Sequence, residues 1–331
     1  MATERPRVCI VGAGAIGGFL GVHLAQTSVD VSVLARGKTL DAIRAQGWKL
    51  IGKEQTLTGS VMATDDPYSL GIQDYVFICV KAYSLPAVMP LLKPLLGPDT
   101  IVLPALNGIP WWFSHGDSRF ASARLASVDP EGLIEAVVPY SNLLGTVVYP
   151  ACSSPQPGVV RHHSGSQIVI GEILTSSNSQ SAGRIEKAGA LFKSAGLDVA
   201  ITSDIRSEVW RKLLGNACFN PVSFLTGSHT DELIDDPRIY ALFEGMMTET
   251  LAVGRALGLQ VHVQPDERIA QTRKLGHVKT SMLQDMEAGR PVEVEAILGT
   301  LVELAQTVKL SVPLIETIYA LAGRKSEVLA S

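Results

Sequence analysis

Long apolar runs are missing from this sequence: no stretch approaches the roughly 18 consecutive apolar residues of a membrane-spanning helix, so no bilayer span is expected. Cysteine is scarce as well. Cys9, Cys79, Cys152 and Cys218 are far apart and form no C-x-x-C pair, and three of them sit inside apolar runs. They are expected to be structural thiols in a reducing cytosol, neither metal ligands nor disulfide partners. An excess of one charge is also lacking. The 28 Lys and Arg against 32 Asp and Glu leave a net charge of -4, which gives no electrostatic case for a nucleic-acid partner. A small anionic ligand stays open, because a few placed cations in a pocket do not show in the total. The polar start, residues 1–7, leads into the apolar run Val8 to Val11, too short for a signal-peptide core, and a cytoplasmic location is expected. No internal repeat is evident.

What is there is bulk. The 331 residues exceed the usual size of one domain, and 46% hydrophobic against 18% charged residues favours a well-filled core over disorder. Residues 7–11, 30–35, 75–80 and 100–106 read as strands, and 16–26 as a helix. The last two strands are continuously apolar, as suits parallel strands covered on both faces, and strands alternating with helices imply βαβ units in a doubly wound parallel sheet. Residues 147–149, 159–161 and 167–170 read as short strands, 175–181 as a polar surface loop or helix start, 184–194 as a helix and 197–201 as a strand. The expected organisation is an α/β domain over residues 1–202 and a mostly α-helical domain over 203–331. Helices are expected there at 207–220, 240–257, 266–287, 294–308 and 312–324, with Gly258, Gly289 and Pro313 as stop or start signals.

Gly12-Ala13-Gly14-Ala15-Ile16-Gly17 places G-x-G-x-x-G directly after a strand and at the start of a helix. In that context the pattern reads as the dinucleotide loop of a Rossmann domain. Gly12 permits the tight turn, Gly14 lets the backbone approach a pyrophosphate, and Gly17 allows close helix–strand packing. The helix N-terminus offers N–H groups and its positive dipole end to the phosphates. NAD-binding folds carry an acid at the end of the second strand, whereas this chain has Leu34-Ala35-Arg36-Gly37. Arg36 suits a 2′-phosphate that a carboxylate would repel, so NADP(H) is the expected cofactor. Lys81 follows one buried strand and is placed to face the cofactor phosphates or ribose. Asn107 follows another, and by spacing alone an Asn-Gly turn with Gly108 is the better reading.

In the second half, Lys212, Asn216 and Asn220 are spaced four apart and share one helix face among Val209, Trp210, Leu213, Leu214, Ala217, Cys218 and Phe219. A polar stripe on a buried helix needs partners and points to a polar pocket. Desolvation would lower the lysine pKa and suit it to proton donation. The alternative for Lys212 is pairing with Glu208 on a wet surface, which leaves both asparagines unexplained. Glu293, near a helix start after Gly289 and Pro291, is by position alone a routine N-terminal acid.

Taken in order, VGAGAIGG, the Arg after strand two, VKAYS, LNG, EVWRKLLGNACFNP, TSMLQD and PVEVEAI resemble the ketopantoate reductase family over nearly the whole chain. The resemblance implies that Lys212 is the general acid that protonates the alkoxide as hydride reaches the 2-oxo carbon. It implies that Glu293 binds the substrate hydroxyl, that Asn216, Asn220 and Ser281 hold the substrate, and that Lys81 and Asn107 fall on cofactor and active-site positions. The implied reaction is NADPH-dependent reduction of 2-dehydropantoate to pantoate, in an interdomain cleft. A related reductase of a bulkier 2-oxo acid is the alternative, and an NADPH-sensing module without turnover is the second. The helical half could offer a homodimer face. Two departures stand out: Trp111-Trp112-Phe113 opens a longer segment reaching Tyr140, and Val278 stands where family members often carry a polar residue.

Overall fold

The computed structural model describes residues 5–117, 120, 124–174 and 179–330, so part of the polar stretch 175–181 and part of the segment before Tyr140 lie outside it. The chain divides into two compact units. The first is Met1–Leu106 with Gly132–Ile205, and the second is Asn107–Glu131 with Arg206–Ser331.

The first unit runs β1 (Arg7–Val11), α1 (Ala15–Leu24), β2 (Asp30–Leu34), α2 (Gly37–Gln46), β3 (Trp48–Ile51), β4 (Thr56–Gly59), β5 (Met62–Thr64), β6 (Tyr75–Ile78), α3 (Leu85–Leu92) and β7 (Ile101–Pro104). It resumes with β8 (Leu144–Val148), β9 (Ala151–Gln156), β10 (Val159–Ser164), β11 (Gln167–Glu172), α4 (Ser179–Ser194) and β12 (Asp198–Thr202). The main sheet has the order β5-β2-β1-β6-β7 and is parallel throughout. Val8 lies opposite Val31 on one side and Tyr75 on the other, which puts β1 at the centre. Val8, Ile10, Val33, Phe77 and Leu103 are fully buried, as continuously apolar parallel strands should be. Smaller sheets, β4-β3-β10-β9 and β12-β11-β8, complete the unit. β3 and β4 escape a sequence reading because WKLI and TLTG are short, and only alternate residues of β3 are buried.

The second unit is built from α5 (Ile205–Thr226), α6 (Thr230–Asp235), α7 (Pro237–Ala256), α8 (Pro265–Arg273), α9 (Ser281–Glu287), a π-helical turn (Glu295–Gly299), α10 (Thr300–Thr307) and α11 (Pro313–Ala330). Several helices differ from expectation: α6 has no counterpart in it, α11 runs on to Ala330, and the helix expected at 294–308 begins as a π-helical turn. α5 continues through Pro221, because Val222, Ser223 and Phe224 are buried and their packing outweighs one missing backbone donor. The single helix expected at 266–287 is instead α8 and α9: Gly276 adopts φ +75° after the first, and the Thr280 hydroxyl accepts from Leu283 N at 3.3 Å to start the second. Among the described residues no helix is long and apolar enough to cross a membrane.

Residues 107–131 join this unit by specific bonds. Ser127 N and Oγ donate to the Glu303 carboxylate at 3.0 and 2.7 Å, and Arg206 Nε donates to Phe113 O at 2.7 Å. Phe113 stacks on Trp210 with centroids 5.9 Å apart. Trp111 and Trp112 are buried in the core beside it.

Candidate active site

The glycine loop is a backbone device. Gly12 adopts φ +105° and donates its N–H to Leu34 O at 3.1 Å, and a Cβ there would lie 2.8 Å from Cys79 O. A Cβ on Gly17 would lie 2.0 Å from Gly12 O, so the loop closes on the helix only without one. Gly14 differs. It is exposed, and the nearest protein atom to an added Cβ is Cys79 O at 4.0 Å. Packing does not require glycine at that position, and its bare backbone leaves room for the close approach of a ligand. Gly14 is also the N-cap of α1, with no side chain capping the helix and no acid in its first turn, so the N–H groups of Ala15, Ile16 and Gly17 form a start suited to an anion. Ala13, Ala15 and Ile16 are half-buried around it. These residues fit a dinucleotide pyrophosphate.

Arg36 is exposed at the N-cap of α2, at the end of β2 and with no acid from Leu34 to Gly37. Lys81 is half-buried just after β6 and starts a short turn in which its carbonyl accepts from Ser84 N at 2.9 Å. Beneath the loop, burial pushes the Cys9 thiol up to about 12 and raises Cys79 as well, which keeps both unreactive. All four cysteines are free.

A second cluster lies wholly in the second unit. The four-residue spacing on α5 lines up Lys212, Asn216 and Asn220, the first two half-buried and the third buried. Lys212 Nζ donates to Asn107 Oδ1 at 2.9 Å. The other end of the same amide, Asn107 Nδ2, donates to Glu293 Oε2 at 3.5 Å. One amide therefore links an ammonium to a carboxylate, and the opposite charges at its two ends fix which way it points. Glu293 is only 6% exposed. Asn220 Nδ2 donates to Ser281 Oγ at 3.5 Å, at the first residue of α9. Glu208, one turn before Lys212 on α5, pairs with Arg211. The Val278 carbonyl accepts from Thr230 N at 3.1 Å, which ties it to the start of α6.

Asn107 begins a turn and also offers its side chain to the cluster. Gly108 adopts φ +78° and turns the chain, while the Asn107 side chain enters the cluster. A Cβ on Gly108 would lie 2.2 Å from Ala296 O, and Ile109 N donates to that same carbonyl at 2.8 Å. Ala296 belongs to the π-helical turn that follows Glu293, so this backbone docking holds Asn107 and Glu293 in register. Of the two acids in Pro-Val-Glu-Val-Glu, Glu295 is taken by Tyr319, whose hydroxyl donates to it at 2.6 Å. Burial first, and then that bond, push the Tyr319 hydroxyl up to about 12. Neither the Gly108–Ala296 docking nor the Tyr319–Glu295 bond leaves a local signal in the sequence, because the partners are far apart along it.

A parallel α/β unit with a glycine loop that fits a dinucleotide, in one chain with a helical unit that carries a Lys/Asn/Glu cluster, defines the class of an NAD(P)-dependent reductase. The family model described as ketopantoate reductase PanE/ApbA matches residues 8–174, and that of its C-terminal part matches residues 204–326. The chain belongs to this ketopantoate reductase family. A 2-dehydropantoate 2-reductase of Mesorhizobium japonicum is 39% identical over 320 residues, covering 96% of this chain and 97% of that protein. A Ralstonia solanacearum MolK2 structure assigned as a ketopantoate reductase is 38% identical with a TM-score of 0.92, covering 99% of each chain. A 2-dehydropantoate 2-reductase structure from Geobacter metallireducens GS-15 is 27% identical with a TM-score of 0.85, covering 96% of this chain and 99% of that one.

Proposed function

We propose that this chain catalyses the NADPH-dependent reduction of 2-dehydropantoate to pantoate, a step of pantothenate synthesis, in the cytoplasm. The observation that carries the reading is the Lys212–Asn107–Glu293 linkage, in a chain whose relatives include 2-dehydropantoate 2-reductases. Gly12 to Gly17 hold the pyrophosphate, Arg36 the 2′-phosphate, and Lys81 the phosphates or ribose. The choice of NADP(H) over NAD(H) rests on Arg36, whose guanidinium can pair bidentately with a phosphate where an acid would select a ribose hydroxyl.

Bound NADPH supplies the hydride for the 2-oxo carbon. Lys212 donates a proton from Nζ to the carbonyl oxygen as negative charge develops there, and its positive charge stabilises that oxygen beforehand. Asn107 accepts one N–H of the ammonium and so aims the others. Glu293 accepts from the substrate hydroxyl, and Asn107 restrains the carboxylate for that task. Asn216, Asn220 and Ser281 hold the substrate through neutral donors, which bind an anion without adding a further charge to the Lys212 and Glu293 pair. A homodimer belongs to the reading, supported by the apolar Leu321, Val328 and Leu329 exposed on α11.

The test is cofactor consumption by the purified protein with 2-dehydropantoate, NADPH against NADH, with Lys212→Ala as control. NADPH-specific turnover that disappears in the variant is the expected result. NADPH binding without consumption overturns the substrate, and equal use of NADH overturns the role given to Arg36.

A further inference from the structure

Away from the cluster, the second unit gathers a set of metal-binding side chains that the reduction does not use. His229, Glu232 and His277 each offer one donor atom, and these atoms lie within 4.8 Å of one another. His229 is the N-cap of α6, and Glu232 is in its first turn. His277 sits in the linker between α8 and α9. Backbone bonds already join the two segments: Thr230 N donates to Val278 O at 3.1 Å, and Thr230 Oγ1 donates to Gly276 O at 3.3 Å. His229 N donates to Glu232 Oε2 at 2.8 Å, which draws this carboxylate back over the helix start and leaves its other oxygen for a cation.

Asp231 supplies what a metal-bound histidine usually needs. Both of its carboxylate oxygens lie 3.0 Å from His277 Nδ1, so the proton is held on that nitrogen and Nε2 keeps its lone pair. Metal-ligating histidines characteristically give their second ring N–H to a carboxylate in this way. The two imidazoles are stacked, with centroids 3.8 Å apart and planes at 14°. Parallel rings direct their in-plane lone pairs side by side, so ligation requires one ring to swing out of the stack. The His277 side chain is 59% exposed, so that movement takes the ring towards solvent, against the stack and the Asp231 contact alone.

We propose that His229, Glu232 and His277 form a binding site for one divalent zinc-type cation, with Asp231 orienting His277. Two imidazoles and one carboxylate are a borderline donor set that favours zinc over the hard cations magnesium and calcium, and three protein ligands leave one position for water. The bound ion staples the start of α6 to the linker that leads into Ser281. This site is independent of the proposed reduction, since none of its side chains belongs to the Lys212 cluster.

The test is Zn2+ titration of the full-length, chelator-treated protein by calorimetry, with Mg2+ in parallel. The expected result is one saturable Zn2+ per chain, lost in His229→Ala with His277→Ala, and weakened roughly 10–100-fold by Asp231→Asn. The imidazole NMR signals of both histidines should shift together as the stack opens. Melting curves of each variant, and of His277→Gln as a milder change, separate loss of ligands from loss of fold. Absence of saturable Zn2+ binding, equal affinity for Mg2+, or Zn2+ binding that survives the double substitution would each overturn the proposal.

Discussion

The glycine loop of the first unit and the Lys212 cluster of the second are opposite ways to build a candidate binding site. The loop works by what is missing: Gly12 and Gly17 have no room for a Cβ, and Gly14 has room that the protein itself does not fill. Its donors are backbone N–H groups at a helix start, set by local geometry within six consecutive residues. The cluster works by what is present. Its amide, ammonium, carboxylate and hydroxyl come from the 107–109 turn, α5, the start of α9 and the edge of the π-helical turn. A backbone site should therefore fail when a methyl group is added, and a side-chain site when a functional group is removed.

The sharpest test is removal of the ammonium. Lys212→Ala should lower kcat by about 10²–10⁴, the range of a positioned general acid, while NADPH affinity measured by fluorescence titration stays unchanged. A parallel loss of NADPH affinity would break the separation between the two sites. Next comes a methyl group added to the backbone turn that positions the side-chain site. Gly108→Ala, with its Cβ directed at Ala296 O, should displace Asn107 and cost on the order of 10²-fold in kcat, as a misplacement of about 1 Å can. Full activity in that variant would mean that the docking on the π-helical turn does not set the cluster. Smaller again, Arg36→Ala should raise the KM for NADPH roughly tenfold and leave that for NADH unchanged, the loss of one charge-assisted contact at an exposed position. The smallest effect is the most discriminating for the loop. Gly14→Ala should keep stability within about 1 kcal/mol in thermal melts, because no protein atom is crowded, yet weaken dinucleotide binding. Gly17→Ala should lower the melting temperature as well. Equal melting temperatures for the two variants would contradict the contrast between them.

Part of this is legible in the residues and part is not. The parallel sheet is legible because buried parallel strands are continuously apolar, as in YVFICV and TIVLPAL, and the loop is legible because its three glycines answer to steric demands a few residues apart. The stripe Lys212, Asn216, Asn220 is legible from helical spacing alone. The break within 266–287 is harder to read, since Gly276 and Thr280 each occur inside helices elsewhere and only their combination ends one helix and caps the next. Pro221 misleads in the other direction, because tertiary packing carries α5 past it.

The sequence by itself determined the α/β and helical halves, the glycine loop after the first strand and the polar face of α5, all consequences of short-range sterics and periodicity. Only the tertiary structure decided that residues 107–131 group with the helices, that Asn107 bridges Lys212 and Glu293, that Trp111 and Trp112 are core, and that His229 meets His277. The reason is physical: those pairings join residues distant along the chain, and their contact free energy becomes available only after the intervening backbone has been ordered.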